Sequence, residues 1–103
     1  MQLNDKVVAV TGSAKGIGKA IACAFADKGA RIALLDLLPA DLEATRAELA
    51  ARGVEARAYT TNVAREDQVV AALDAVVADF GRLDVLVNNA GIIKDALLVK
   101  VKD

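Results

Sequence analysis

Apolar residues fall along this chain in two rhythms. Short runs such as Val7-Val8-Ala9-Val10 and Ile32-Ala33-Leu34-Leu35 alternate with stretches whose apolar positions recur every three or four residues. The runs predict buried strands over 6–11 and 31–36, the second ending in an acid, and a later strand over 83–87. A further strand is predicted over 54–60. There Glu55 and Arg57 alternate with apolar neighbours, which points to a sheet edge with one wet face. The longer stretches predict helices over 16–28, from Pro39 and Asp41 to about Arg52, and over 65–80. In the first, Ala20, Ile21, Ala24 and Phe25 are spaced for one buried face. In the third, the face is Val69, Ala72, Leu73, Val76, Val77 and Phe80. Gly29, Gly53 and Gly81 close the three helices. From Ile92 to Asp103 the pattern weakens to a short helix starting near Asp95.

Strands alternating with helices imply a parallel sheet with right-handed crossovers. The expected strand order is 3-2-1-4, with helices on both faces. A ligand crevice is then expected between strands 1 and 4, outside their carboxyl ends. The turns Gly12–Gly18 and Asn88–Gly91 both belong at that end.

Composition narrows the chemistry. More than half of the 103 residues are apolar, enough for one small domain with a core. No apolar run reaches the length of a membrane span, and Met1-Gln2-Leu3-Asn4-Asp5-Lys6 does not resemble a signal peptide. A net charge of −1 with interspersed signs gives no reason to expect nucleic acid. Cys23 is the only cysteine, so no internal disulfide forms and a reducing cytoplasm is expected. The chain has no histidine, which excludes a His-based triad or a His-rich metal site. No metal ligands are assigned.

The candidate chemistry lies in Thr11-Gly12-Ser13-Ala14-Lys15-Gly16-Ile17-Gly18, between the first strand and the first helix. Glycines let backbone approach phosphate oxygens, and a helix N-terminus offers them free N–H groups and partial positive charge. The plainer reading of the loop alone is a tight strand–helix turn.

Three motifs together resemble the N-terminal half of a short-chain dehydrogenase/reductase, of the 3-oxoacyl-acyl-carrier-protein reductase type. Thr11-Gly12-x-x-x-Gly16-Ile17-Gly18 is similar to that family's glycine loop. Asn88-Asn89-Ala90-Gly91 is similar to its motif after the fourth strand, and Asn62-Val63 stands where it usually has Asp-Val. The resemblance covers essentially the whole chain. It implies a Rossmann-like half domain in which Gly12, Gly16 and Gly18 shape a pyrophosphate loop. Ser13 and Lys15 would add contacts to phosphate or ribose, and Ile17 would lie near the nicotinamide end. Asn62 and Val63 would flank the adenine, Asn89, Ala90 and Gly91 would belong to the cofactor site, and Asn88 would link neighbouring strands.

Asp36 lies eighteen residues after Gly18, where a carboxylate can accept both ribose hydroxyls. It would repel a 2′-phosphate, so NAD is expected over NADP. Lys15 argues mildly the other way, but Leu37 stands where NADP-preferring relatives often carry Arg. The alternative for Asp36 is a helix N-terminal acid, and for Lys15 a solvated loop residue. Cys23 is expected to pack as a small apolar residue.

The family's catalysis uses Ser, Tyr and Lys, the last two as Tyr-x-x-x-Lys. The only tyrosine here is Tyr59, followed four residues on by Val63, and the only serine is Ser13 in the loop. No catalytic residue is therefore assigned, and the chain reads as a truncated, engineered or split half domain. Three functions remain open: a weak NAD or adenine-nucleotide module, a homodimer through strand 4 (Leu83–Val87) or an exchanged 92–103 segment, and an oxidoreductase complemented by the missing half.

Overall fold

The computed structural model describes residues 2–89. Four parallel strands alternate with three helices: β1 (Val7–Thr11), α1 (Gly16–Asp27), β2 (Arg31–Asp36), α2 (Pro39–Ala51), β3 (Ala56–Thr60), α3 (Glu66–Phe80) and β4 (Val85–Asn88). The sheet order is β3-β2-β1-β4, as the alternation predicts. β1 is central and fully buried, which is why its side chains are apolar on both faces. β3 is an edge with mixed exposure, in keeping with its charged alternation.

Because successive strand residues point to opposite faces, each strand feeds two cores. Val8, Val10, Ile32 and Leu34 pack with Ala22, Ala26, Leu42 and Leu49, so α1 and α2 cover one face. Val7, Ala9, Ala33 and Leu35 pack with Val69, Leu73, Val76 and Phe80 on α3. Burying a side chain such as Leu73 contributes roughly 1.5–3 kcal/mol.

Three expectations need correction, the first being Val77, expected on the inner face of α3 but exposed. The inner face of α1 is Gly18, Ala22 and Ala26, while Ala20 and Ala24 are exposed and Ile21 and Phe25 are half-buried. In a helix this rich in alanine, apolarity does not distinguish one face from another; close approach to the sheet selects the smallest residues. The fourth strand also begins later than expected. Leu83 is buried ahead of it, and Asp84 anchors its start instead of belonging to it. The Asp84 carboxylate accepts the Val7 N–H at 2.8 Å and a bidentate pair from Arg82. The Arg82 contact, with the Val7 N–H, holds that carboxyl below the usual carboxylate range against the opposing effect of burial. The readings for Ala90, Gly91 and the 92–103 segment lie outside the described residues.

Candidate nucleotide-binding site

All three helices begin at the carboxyl edge of the sheet. The turn from β1 into α1 is shaped by glycine. Gly12 and Gly16 have φ of 66° and 67°, the left-handed region that disfavours other residues. Gly18 meets a different demand: a Cβ there would stand 1.8 Å from the Gly12 carbonyl oxygen. A Cβ at Gly16 would meet nothing within 4 Å, so the space above the loop is open.

α1 has no side-chain cap, Lys15 at its N-cap, and no acid in its first turn. The opening N–H groups of a helix lack intrahelical partners. Here a lysine stands beside them and the first turn carries no acid, a donor set that fits an anion. Lys15, Gly16 and Ile17 are exposed, and Ile17 projects with 74% of its surface accessible.

The remaining predicted residues are placed unequally. Asp36 is half-buried at the end of β2, and its carboxylate accepts the Ala14 N–H at 3.0 Å and the Leu37 N–H at 2.6 Å. A carboxylate has about four lone-pair sites, so room remains for ribose hydroxyls. Ser13 is fully buried and its hydroxyl faces the Leu35 carbonyl at 3.5 Å. In this arrangement the hydroxyl lies within the fold. The Asn62 side-chain oxygen accepts the Ala64 N–H at 3.0 Å, folding its own turn. Val63 packs against the α3-side core.

Asn88 does link strands: it ends β4, and the Thr11 hydroxyl lies 3.3 Å from its side-chain oxygen. Asn89 ties the two turns together. Its N–H donates to Thr11 Oγ1 at 3.0 Å and its side-chain amide to the Gly12 carbonyl at 3.3 Å. Thr11 is therefore a hub between the turns, a role the sequence reading did not give it. Tyr59 is a strand side chain whose hydroxyl donates to Asp79 at 2.8 Å. Burial, then the Asp79 carboxylate, pushes its phenol well above the usual value, unlike an acid–base catalyst poised near neutrality.

A cleft of about 350 Å³ between β3 and α3 is lined by Tyr59, Thr60, Thr61, Gln68, Ala71 and Ala72, away from the glycine loop. Among the described residues no helix is long and apolar enough to cross a membrane.

The sequence is 50% identical over 91 residues to D-threitol dehydrogenase of Mycolicibacterium smegmatis, matching 88% of this chain and 35% of that protein. It is 42% identical over 103 residues to 3-oxoacyl-acyl-carrier-protein reductase FabG of Thermotoga maritima, matching 100% of this chain and 42% of that one. The fold superposes on NAD+-bound xylitol dehydrogenase with a TM-score of 0.83 at 44% identity, over 89% of this chain and 35% of the other. A blue fluorescent protein from a metagenomic library, in complex with NADPH, also gives 0.83, at 41% identity over 89% and 38%. The chain thus spans 35% to 42% of the length of these relatives. A sequence model described as short chain dehydrogenase matches residues 6–103. With the glycine loop, the strand order and these likenesses in agreement, the chain belongs to the short chain dehydrogenase family.

Proposed function

We propose that this chain is the adenosine- and pyrophosphate-binding part of a nicotinamide-dinucleotide oxidoreductase, without catalytic competence on its own. The observation that carries the reading is the uncapped, acid-free start of α1 beside Asp36 at the end of β2. N–H groups at the start of α1 and Lys15 would hold the pyrophosphate, with Gly12, Gly16 and Gly18 shaping the backbone. Asp36 would accept the ribose hydroxyls, Asn62 and Val63 would border the adenine, and Ile17 would border the nicotinamide end. Asn89, Ala90 and Gly91 complete the proposed set, Asn89 by holding Gly12 in place. When bound, the dinucleotide supplies hydride transfer; the described residues bind and orient it. Asp36 favours NAD over NADP, since a 2′-phosphate would face its carboxylate. A single cysteine, Cys23, fits a reducing cytoplasm. Turnover would need the Ser and Tyr-x-x-x-Lys groups, which residues 1–103 do not supply.

Calorimetric titration with NAD, ADP and NADP tests this. Saturable binding is expected, with ADP about as tight as NAD and NADP weaker. Asp36→Ala should weaken ADP by one to two orders of magnitude for each charge-assisted hydrogen bond lost, at about 1.5–3 kcal/mol each. Absence of saturable heat from the folded chain overturns the reading.

A second reading rests on β4, among the described residues the outermost strand opposite β3, which pairs with β1 and has Val85, Leu86 and Val87 half-buried. Such an edge can recruit a second copy. We propose a homodimer through it, detected by sedimentation at high micromolar concentration; a strictly monomeric species would count against it. A dimer formed by exchange of the 92–103 segment is the alternative.

A further inference from the structure

Ala14 lies where the loop, β2 and α2 meet. It is 3% exposed; its N–H donates to Asp36, and its carbonyl accepts from the Thr45 hydroxyl at 2.8 Å. Thr45 lies midway along α2, 1% exposed, thirty-one residues away in sequence. It shares the inner stripe of α2 with Leu42 and Leu49, a position where an apolar side chain would serve the core. A threonine inside a helix has a local partner available, the carbonyl one turn back. Here the hydroxyl reaches out of the helix to the glycine loop. Gly12 is pinned too, its N–H donating to the Leu35 carbonyl at 2.8 Å. Residues 12–14 are thus tied down at both ends, and the exposed start of α1 follows directly from them.

We propose that Thr45 is a positioning residue for nucleotide binding: from α2 it fixes Ala14, and so fixes the direction of the N–H groups that open α1. This rests on the nucleotide-binding reading above. A merely structural threonine would affect stability alone. A positioning residue also sets how firmly the loop is held and how well it meets an anion.

The test compares the wild-type chain with Thr45→Val, which keeps the shape and removes the donor, and Thr45→Ser, which keeps the donor. Amide hydrogen exchange at Gly12 and Ala14 is read without ligand, with the central-strand amide of Ala9 as the global reference. ADP affinity is read by calorimetry. In Thr45→Val, Gly12 and Ala14 should exchange about tenfold faster relative to Ala9, and ADP should bind about tenfold more weakly. Thr45→Ser should restore both. Val76→Ala, a truncation in the opposite core, should lower stability with neither loop exchange nor affinity changed. Unchanged loop exchange and ADP affinity in a folded Thr45→Val chain would overturn the proposal. If the wild-type chain fails to bind ADP, the nucleotide reading falls, while the exchange contrast between the Val and Ser variants still decides whether Thr45 holds the loop.

Discussion

α1 and α3 both start at the carboxyl edge of the same sheet, yet their first turns are built oppositely. α3 opens with Glu66 and Asp67, whose charges complement its own dipole, and α2 carries Asp41 in the same role. α1 opens with Gly16, Ile17 and Gly18 behind Lys15, with no acid in its first turn. Two helices therefore bring their own negative charge, while the third leaves its positive end to be met from outside. The start of α1 thus leaves local stability ungained.

The comparison breaks most severely at Gly18. Gly18→Ala puts a Cβ onto the Gly12 carbonyl, and backbone has to move to admit it. Overpacking of this kind should cost about 3 kcal/mol or more. That corresponds to a fall in Tm of roughly 12–24 °C for a domain of this size, read by thermal circular dichroism. A variant melting with the wild type would show that α1 is not held against the loop.

Lys15→Asp sharpens the contrast by making α1 resemble its neighbours. Lys15 already has extended backbone angles, φ −160° and ψ 175°, suited to a capping side chain. An aspartate there should stabilise the ligand-free chain by about 1 kcal/mol. It should also weaken ADP about tenfold or more, since the carboxylate takes the place of the anion. Tighter folding with undiminished ADP affinity would separate the start of α1 from the binding site.

The smallest effect is expected at α3. Replacing Glu66 and Asp67 by Gln and Asn should cost about 0.3–1 kcal/mol for each lost dipole contact, seen in urea midpoints. Their exposed setting, with Asp67 paired only loosely to Arg65 at 3.3 Å, keeps the effect small. ADP affinity should not change; a marked loss would mean that the two helix starts share one ligand.

Strand positions, order and the glycine loop were legible in the sequence because strong local signals coincide there: unbroken apolar runs, glycines at fixed spacing and an acid closing β2. The inner face of α1 was not legible, because alanine fits every face and only contact with the sheet selects Ala22 and Ala26. Nothing local to Ser13 shows that the fold turns its hydroxyl toward Leu35. Thr45 left one faint mark, a polar residue on an apolar stripe. Its partner lies on another element, and no local pattern encodes a bond across thirty-one residues.

Gly18 pressed against Gly12 has a thermodynamic consequence. With helix and turn in backbone contact, the loop is ordered when the chain folds, so its conformational entropy is lost before any ligand arrives. Association then demands little further ordering from the protein. Encounter should resemble docking onto a rigid surface, with approach of the charged ligand, rather than closure of the loop, setting the rate.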